Sequence, residues 1–509
     1  MKINLIEYFE QTVNRIPGKI AVIIGQNKVT FGDLHARSLI IAQTINTLIR
    51  FTNKPVAVYL SKSVESIFTD LGITYSGNIY MNLDIKTPLE RIKNILNLTQ
   101  PSILISNDSY LDNITPICPE GTIVLNLDKI DFDFHVERDE IFNHLSSLVD
   151  VDPYCIINTS GSTGTPKSVV LNHRSFIDFT EWAIEKLEIS DEEIIGSLSP
   201  LVFDIYSFEL CMLIAKGSTM VLLPDSLAAF PANLLELMNE NHVSFIFWVP
   251  TIMVNIANMD LLSKIKLPSL KTIWFAGEVF PTILFNYWKK YLPATKFVNL
   301  YGPIEITLDC TYFIIDREIP DNLPIPIGFP CRNTDVIILN ERNKQVETGE
   351  VGELCVRGTS LAMGYYNNPE KTKAAFVQNP LNTSYSEIIY RTGDQVYINQ
   401  SGEIIFKGRK DTLIKHLGYR IELGEIEHVI INTLKLVENG CVVYNYIKKE
   451  IVLIYESKID YSISEMRKII STALPKYMIP SKFIRMNELP RNINGKIDRL
   501  YLNNTITSL

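Results

Sequence analysis

No apolar stretch in this 509-residue sequence approaches the ~20 residues that a bilayer-spanning helix needs. Residues 1–15 carry acids inside their apolar pattern and lack the core of a signal peptide. Cysteine is scarce: Cys118, Cys155, Cys211, Cys310, Cys331, Cys355 and Cys441 are scattered, odd in number, and include no CxxC pair. That pattern supports neither a zinc site nor a disulfide framework, and it fits reduced thiols in a cytoplasmic protein. Positive charge is also short. Against 57 Asp and Glu stand 48 Lys and Arg, a net charge of −9, which argues against broad binding to nucleic acid or an anionic membrane. With 46% hydrophobic and 21% charged residues and no low-complexity tract, disorder and fibrous repeats are excluded. What remains is a soluble chain too long for a single core.

Through the first 400 residues, short apolar runs alternate with amphipathic stretches. Residues 55–60, 102–106, 122–127 and 219–223 read as buried strands, and 5–13, 34–48 and 234–241 as helices. Strands interleaved with helices predict an α/β architecture of layered, mostly parallel sheets. From about Ile325 the texture changes to short strands between Gly- and Asn-containing turns, at 336–339, 352–357, 395–398 and 403–407, which predicts a small β-rich subdomain. After Gly408 the pattern is mixed, with helices over 424–434 and 464–473 and strands at 440–446 and 451–455. The expected division is a large N-terminal domain over 1–408 and a small α+β C-terminal domain over 409–509. The two parts differ in charge. Residues 409–509 carry 16 Lys and Arg against 11 Asp and Glu, and the first 408 carry 32 against 46.

The most informative stretch is Thr159-Ser160-Gly161-Ser162-Thr163-Gly164-Thr165-Pro166-Lys167-Ser168, which follows an apolar strand at 154–157. Glycines allow a tight turn with exposed N–H groups, hydroxyls add donors, and Lys167 adds positive charge. These are the parts of a polyphosphate cradle. A P-loop would need Gly before its Lys, where Pro166 stands.

This loop heads an ordered series of motifs. Asn299-Leu300-Tyr301-Gly302-Pro303-Ile304-Glu305 comes first, then residues 352–358 with Met363-Gly364-Tyr365, then Tyr390-Arg391-Thr392-Gly393-Asp394. Gly408-Arg409-Lys410-Asp411 leads into residues 418–427, and the chain closes with 474–480 and Asn494-Gly495-Lys496-Ile497-Asp498-Arg499. In this order the series resembles the adenylate-forming superfamily of acyl-CoA synthetases, luciferases and adenylation domains of nonribosomal peptide synthetases. The resemblance covers essentially the whole chain and implies a mobile C-terminal domain.

The reaction implied is attack of a carboxylate on the α-phosphorus of ATP, giving an acyl-adenylate and pyrophosphate. Two anions must meet, so positioning and charge neutralisation carry the catalysis. By resemblance, Thr159, Ser160, Gly161, Ser162, Thr163, Gly164 and Lys167 hold the phosphates and Glu305 ligates Mg²⁺. Tyr301, beside Gly302, stacks on adenine, while Asp394 and Arg409 reach the ribose. Lys496 bridges the substrate carboxylate and the α-phosphate, and Asp411 is the hinge. Ile304 replaces a usual Thr of this family, Leu413 a usual Gln, and Leu417 a usual basic residue.

Asp204 lies where amino-acid-activating members carry the aspartate that pairs with the α-ammonium. A buried carboxylate without a cationic ligand is costly, so its presence points to an amine, with a helix-capping or turn aspartate as the alternative. The other matching pocket positions are Ile205, Phe208, Phe247, Trp274, Ala276, Leu300, Leu308 and Asp309. Their bulk favours a small amino acid. Asp309 either touches a polar group or second amine of the substrate, or points away. Segments 247–251 and 275–279 resemble D-alanine–carrier protein ligases especially. Those enzymes carry a cysteine where Ala276 stands, so glycine, L-alanine, serine and small derivatives stay open beside D-alanine. Only 13 residues follow Lys496 and no carrier domain is seen, so the expected acceptor is the phosphopantetheine thiol of a separate carrier protein, loaded by a monomeric enzyme. Two other readings compete. One is an acyl- or aryl-CoA ligase acting on a small carboxylic acid, against which Asp204 argues. The other is a non-enzymatic nucleotide-binding regulator, against which Lys167, Glu305, Asp394 and Lys496 argue together.

Overall fold

The computed structural model describes residues 2–134, 136–160, 166–409, 412–457, 459–491 and 497–507. The apolar runs are too short for helices and too uniformly apolar for a half-solvated sheet, and they pair as interior strands. Pro55–Tyr59 lies between Ile79–Asn82 and Ile103–Ser106, all parallel, in a seven-stranded sheet. That sheet continues through Pro153–Thr159 to the antiparallel Lys167–Asn172 and Gly364–Tyr365. A nine-stranded sheet is parallel from Ile20–Ile24 through Thr219–Leu222, Ile194–Ser197, Phe245–Trp248 and Thr272–Phe275 to Lys296–Tyr301, with antiparallel strands at both edges.

Helices occupy the space between the sheets. Val56 and Tyr154 of one sheet and Val22 and Phe247 of the other share a buried cluster with Phe68 and Phe208 from helices Val64–Tyr75 and Asp204–Lys216. The helix ends are set locally. Thr30 and Asp33 form a capping box at the start of Phe31–Leu48, and Asn172 caps His173–Lys186.

The β-rich part is an antiparallel sheet of Thr334–Leu339, Gly352–Gly358, Ile388–Ile398, Phe376–Gln378 and Ile404–Arg409. The strand expected at 395–398 is longer, Ile388–Ile398, and contains the whole 390–394 motif. After Arg409 come a hairpin, Leu413–His416 with Tyr419–Glu422, and a three-stranded sheet of Asn439–Asn445, Glu450–Glu456 and Lys482–Arg485. Ile414, Ile426, Val442, Leu453 and Met466 give this part its own core. The helix expected over 424–434 is α-helical only over Leu423–His428, and Val429–Thr433, in which four of five residues are β-branched, continues it as a π-helical turn. Among the described residues no helix is long and apolar enough to cross a membrane, and all seven cysteines are free.

Candidate active site

Parallel strands of an α/β sheet open their carboxyl ends onto ligand crevices. Here the ends of both large sheets meet at one cavity of about 150 Å³. Asn82, Thr159 with Ser160, Val249, Ala276 and Gly302 each stand at or just after such a strand end and line it. The hairpin after Arg409 closes the cavity from the other side with Lys415, Gly418, Tyr419 and Arg420.

The predicted phosphate loop begins at Thr159, the last residue of its strand, and Lys167 begins the next. Gly161, Ser162, Thr163 and Gly164 lie outside the described residues. The Thr159 hydroxyl is buried with no hydrogen-bond partner among the described residues. Ser160 Oγ donates to the Arg420 carbonyl at 2.6 Å and accepts from the Glu422 N–H at 3.0 Å. Lys167 Nζ lies 3.9 Å from Glu422 Oε1 and 5.6 Å from the Tyr365 ring centre.

Glu305 sits in a 3-10 turn, Ile304–Ile306, and is fully buried. Its Oε1 accepts from Tyr365 OH at 2.8 Å, and its Oε2 is paired with the Arg420 guanidinium. Burial alone would raise this carboxyl. Arg420 and Lys167 outweigh it and hold the group below its ordinary range. Tyr301 donates its hydroxyl to Asp394, and Asp394 also binds Arg409, which reaches the Thr392 carbonyl at 2.9 Å. Tyr301, Asp394 and Arg409 are therefore brought together, in a group that does not line the cavity.

At the other end, Asp204 is the first residue of helix Asp204–Lys216. Burial pushes its carboxyl up to about 6, partly offset by the N–H of Ile205, by Lys415 and by the N–H of Leu308. Asp309 is 3% exposed, and burial and then Asp204 push it well above the ordinary carboxylate range. Asp309 is presented by a tight loop. A Cβ on Gly302 would meet the Leu308 carbonyl oxygen at 2.1 Å, and Thr307 and Leu308 both hold positive φ, 47° and 63°. Both conformations are costly for side chains of this bulk, a pattern that clusters at functional sites.

Of the nine predicted substrate residues, Asp204, Ile205, Ala276, Leu308 and Asp309 line the cavity. Phe208, Phe247, Trp274 and Leu300 do not. The Phe208 ring stacks on Trp274 at 5.3 Å, and Phe247 meets Trp274 edge-on at 5.7 Å, so this aromatic group forms a closed floor behind it. Asp411 and Lys496 lie outside the described residues.

Several cavity residues went unassigned in the sequence. Lys415 stands 5.6 Å from the Tyr301 ring centre, and the one signal for it was a lysine inside the apolar strand Leu413–His416. Arg420 was visible only as a motif letter, as was Glu422, which lies outside the cavity lining. Gly418 donates its N–H to Glu278 Oε1 at 2.9 Å, and its tight approach to Val249, where a Cβ would come within 2.9 Å, explains the glycine. Arg91 pairs with the buried Glu425, and Tyr419 stacks on Tyr477 at 3.6 Å with its edge toward Phe203.

The donor set at Glu305 suits a hard cation. Among the described residues no group of three or more His, Cys, Asp or Glu could enclose a metal. A single buried carboxylate next to a phosphate loop fits Mg²⁺, which takes one or two carboxylates and completes its shell with phosphate oxygens and water.

Comparison with known proteins gives the family and the fold. The family described as "AMP-binding enzyme" matches residues 9–366. Zwittermicin A synthase ZmaJ of Bacillus cereus is 32% identical over 97% of this chain and 93% of its own length. D-alanine–D-alanyl carrier protein ligase of Streptococcus pyogenes is 30% identical over 99% of both chains. Other relatives are much longer, and the chain spans only 11–44% of their length. The fold superposes with a TM-score of 0.84 on the Vibrio cholerae adenylation domain AlmE, solved with glycyl-adenosine-5'-phosphate. The two are 20% identical, and the match covers 100% of this chain and 98% of that one.

Proposed function

The chain belongs to the AMP-binding enzyme family, and from that premise we propose that it activates a small amino acid and passes it to a carrier protein. Asp204 carries the proposal. A partly buried carboxylate at the head of a helix in the substrate end of the cavity suits an α-ammonium and is unfavourable without one.

In the first step a substrate carboxylate oxygen attacks the α-phosphorus of ATP, and the bond to pyrophosphate breaks. Thr159, Ser160 and Lys167, with Gly161, Ser162, Thr163 and Gly164, would hold the phosphates. Glu305 would hold Mg²⁺, which supplies charge neutralisation at the phosphate oxygens when bound. Lys496 would meet the charge developing between carboxylate and phosphate. Tyr301 would carry the adenine, and Asp394 with Arg409 the ribose. In the second step a thiol attacks the acyl carbon and AMP leaves.

The pose of the C-terminal part supports an alternation between these steps. Arg420 occupies Glu305 and Glu422 faces Lys167, so the groups proposed for metal and phosphate are engaged by the chain itself. That arrangement suits the transfer step, after pyrophosphate has left. Forming the adenylate would require residues 409–509 to turn about Asp411 and free both groups. The full-length match to a D-alanyl carrier protein ligase supports a carrier thiol as acceptor.

ATP–pyrophosphate exchange with glycine, D-alanine and the nineteen standard L-amino acids tests the reading. A small amino acid is expected to support exchange, and Asp204→Ala to lower its kcat/KM by about 100-fold or more. Equal activity in that variant would remove the α-ammonium role. AMP release driven by coenzyme A with an amine-free acid would replace the reading with a CoA ligase.

A further inference from the structure

Pairing Asp204 with an α-ammonium leaves the second carboxylate of the substrate end without a task. Asp309 lines the same cavity and is 3% exposed. It is not an incidental turn residue. The loop that carries it is pressed onto Gly302 and held through two residues at positive φ.

Among the described residues the N-terminal core brings no spare cation to the cavity lining. Of the cationic residues that line the cavity, Arg91 is committed to Glu425 and Arg420 to Glu305. Lys415 is the remaining one among the described residues, and it offsets both acids. It arrives on the hairpin Leu413–His416, which belongs to the part proposed to turn away for adenylate formation. With the hairpin withdrawn, one ammonium in the cavity would leave a second buried carboxylate unmatched, at a cost of several kcal/mol if ionised.

We infer that the amino acid taken by this site is a short diamino acid, its α-ammonium paired with Asp204 and its side-chain ammonium with Asp309. The aromatic floor of Phe208, Phe247 and Trp274 and the small cavity limit the side chain to about one or two methylenes. In the transfer pose Lys415 would then face two carboxylates already paired with the substrate. It would sit further out, toward the Tyr301 ring. The inference rests on the amino-acid-activating reading of the cavity.

Pyrophosphate exchange separates the two. The panel is 2,3-diaminopropionate, 2,4-diaminobutyrate, L-ornithine, L-serine, L-alanine and glycine, on the full chain and on Asp309→Asn and Asp309→Leu. The expected wild-type result is a kcat/KM for one of the two short diamino acids at least about 30-fold above L-alanine and L-serine. Both variants are expected to collapse that ratio by a similar factor, chiefly through KM. A wild-type preference for glycine, alanine or serine overturns the second-ammonium inference while the amino-acid reading stands. A ratio untouched by both variants does the same. Exchange with none of the panel nor with any other amino acid overturns both.

Discussion

The phosphate side of the candidate site, where Glu305 and Lys167 lie outside the cavity lining, and the substrate side, where Asp204 and Asp309 line it, treat charge in opposite ways. At the phosphate end the charged groups are engaged across the junction between the core and the C-terminal part: Glu305 with Arg420, Lys167 with Glu422, and Ser160 with the backbone of the same hairpin. At the substrate end Asp204 and Asp309 line one cavity with Lys415, the one lysine in its lining among the described residues, and both carboxyls are pushed up. On the proposed reading the first end would have to open to take its ligand, and the second would be completed by one. Reorganisation would then be concentrated where the C-terminal part docks, and recognition at the carboxylates of the core.

The largest effect is expected at the phosphate end. Glu305→Gln keeps the shape but removes the charge, and pyrophosphate exchange should fall about 100-fold or more, with a higher Mg²⁺ concentration needed for half-maximal rate. The removal also leaves Arg420 buried without its counter-ion. An unchanged Mg²⁺ dependence in steady-state exchange would separate Glu305 from the metal.

Next comes the docking contact itself. Arg420→Ala takes away the charge that stands on Glu305 in this pose. Transfer to a carrier thiol should fall about tenfold further than exchange does. The measurement is the ratio of single-turnover loading to exchange in the same preparation. Equal losses in the two would mean that Arg420 serves both poses alike.

The smallest effect belongs to the substrate end and appears without any substrate. Asp204 titrates at about 6, above the ordinary value of 3.8. The folded chain therefore holds a proton that the unfolded chain has released between those values. This group's favourable contribution is present below about pH 4 and is lost as the pH rises through 6. Asp204→Asn has no such loss. Its melting temperature should exceed that of the wild type by about 2 °C at pH 8 and match it near pH 4. A gap that grows toward low pH would contradict the sign.

Much of the fold was legible because its strands are uniformly apolar and bounded by turn residues. Runs such as 55–59 and 103–106 have no alternative to an interior strand. The β-rich part was seen with shortened elements. Ile388–Ile398 mixes Arg391, Thr392, Gly393 and Asp394 with apolar residues, and that mixture masks a continuous strand. In the site, Thr159 and Lys167 were readable from the Gly- and hydroxyl-rich loop after an apolar strand, while Glu305, Asp204 and Asp309 were readable only through the order of family motifs. Phe208, Phe247, Trp274 and Leu300 were read as pocket walls. Their position behind the cavity depends on how three rings from separate segments pack against one another.

By itself the sequence determined the layered α/β architecture, the order of the motifs, and which side chains carry charge or a phosphate-binding backbone. Those properties follow from local periodicity and residue chemistry. Only the tertiary structure decided the pairings that give the site its character. Arg420 meets Glu305 across 115 positions and Arg91 meets Glu425 across 334. It also brought Asp204 and Asp309 into one cavity with Lys415. Such contacts depend on how separately formed surfaces dock, and the free energy of a charge depends on what that docking places beside it.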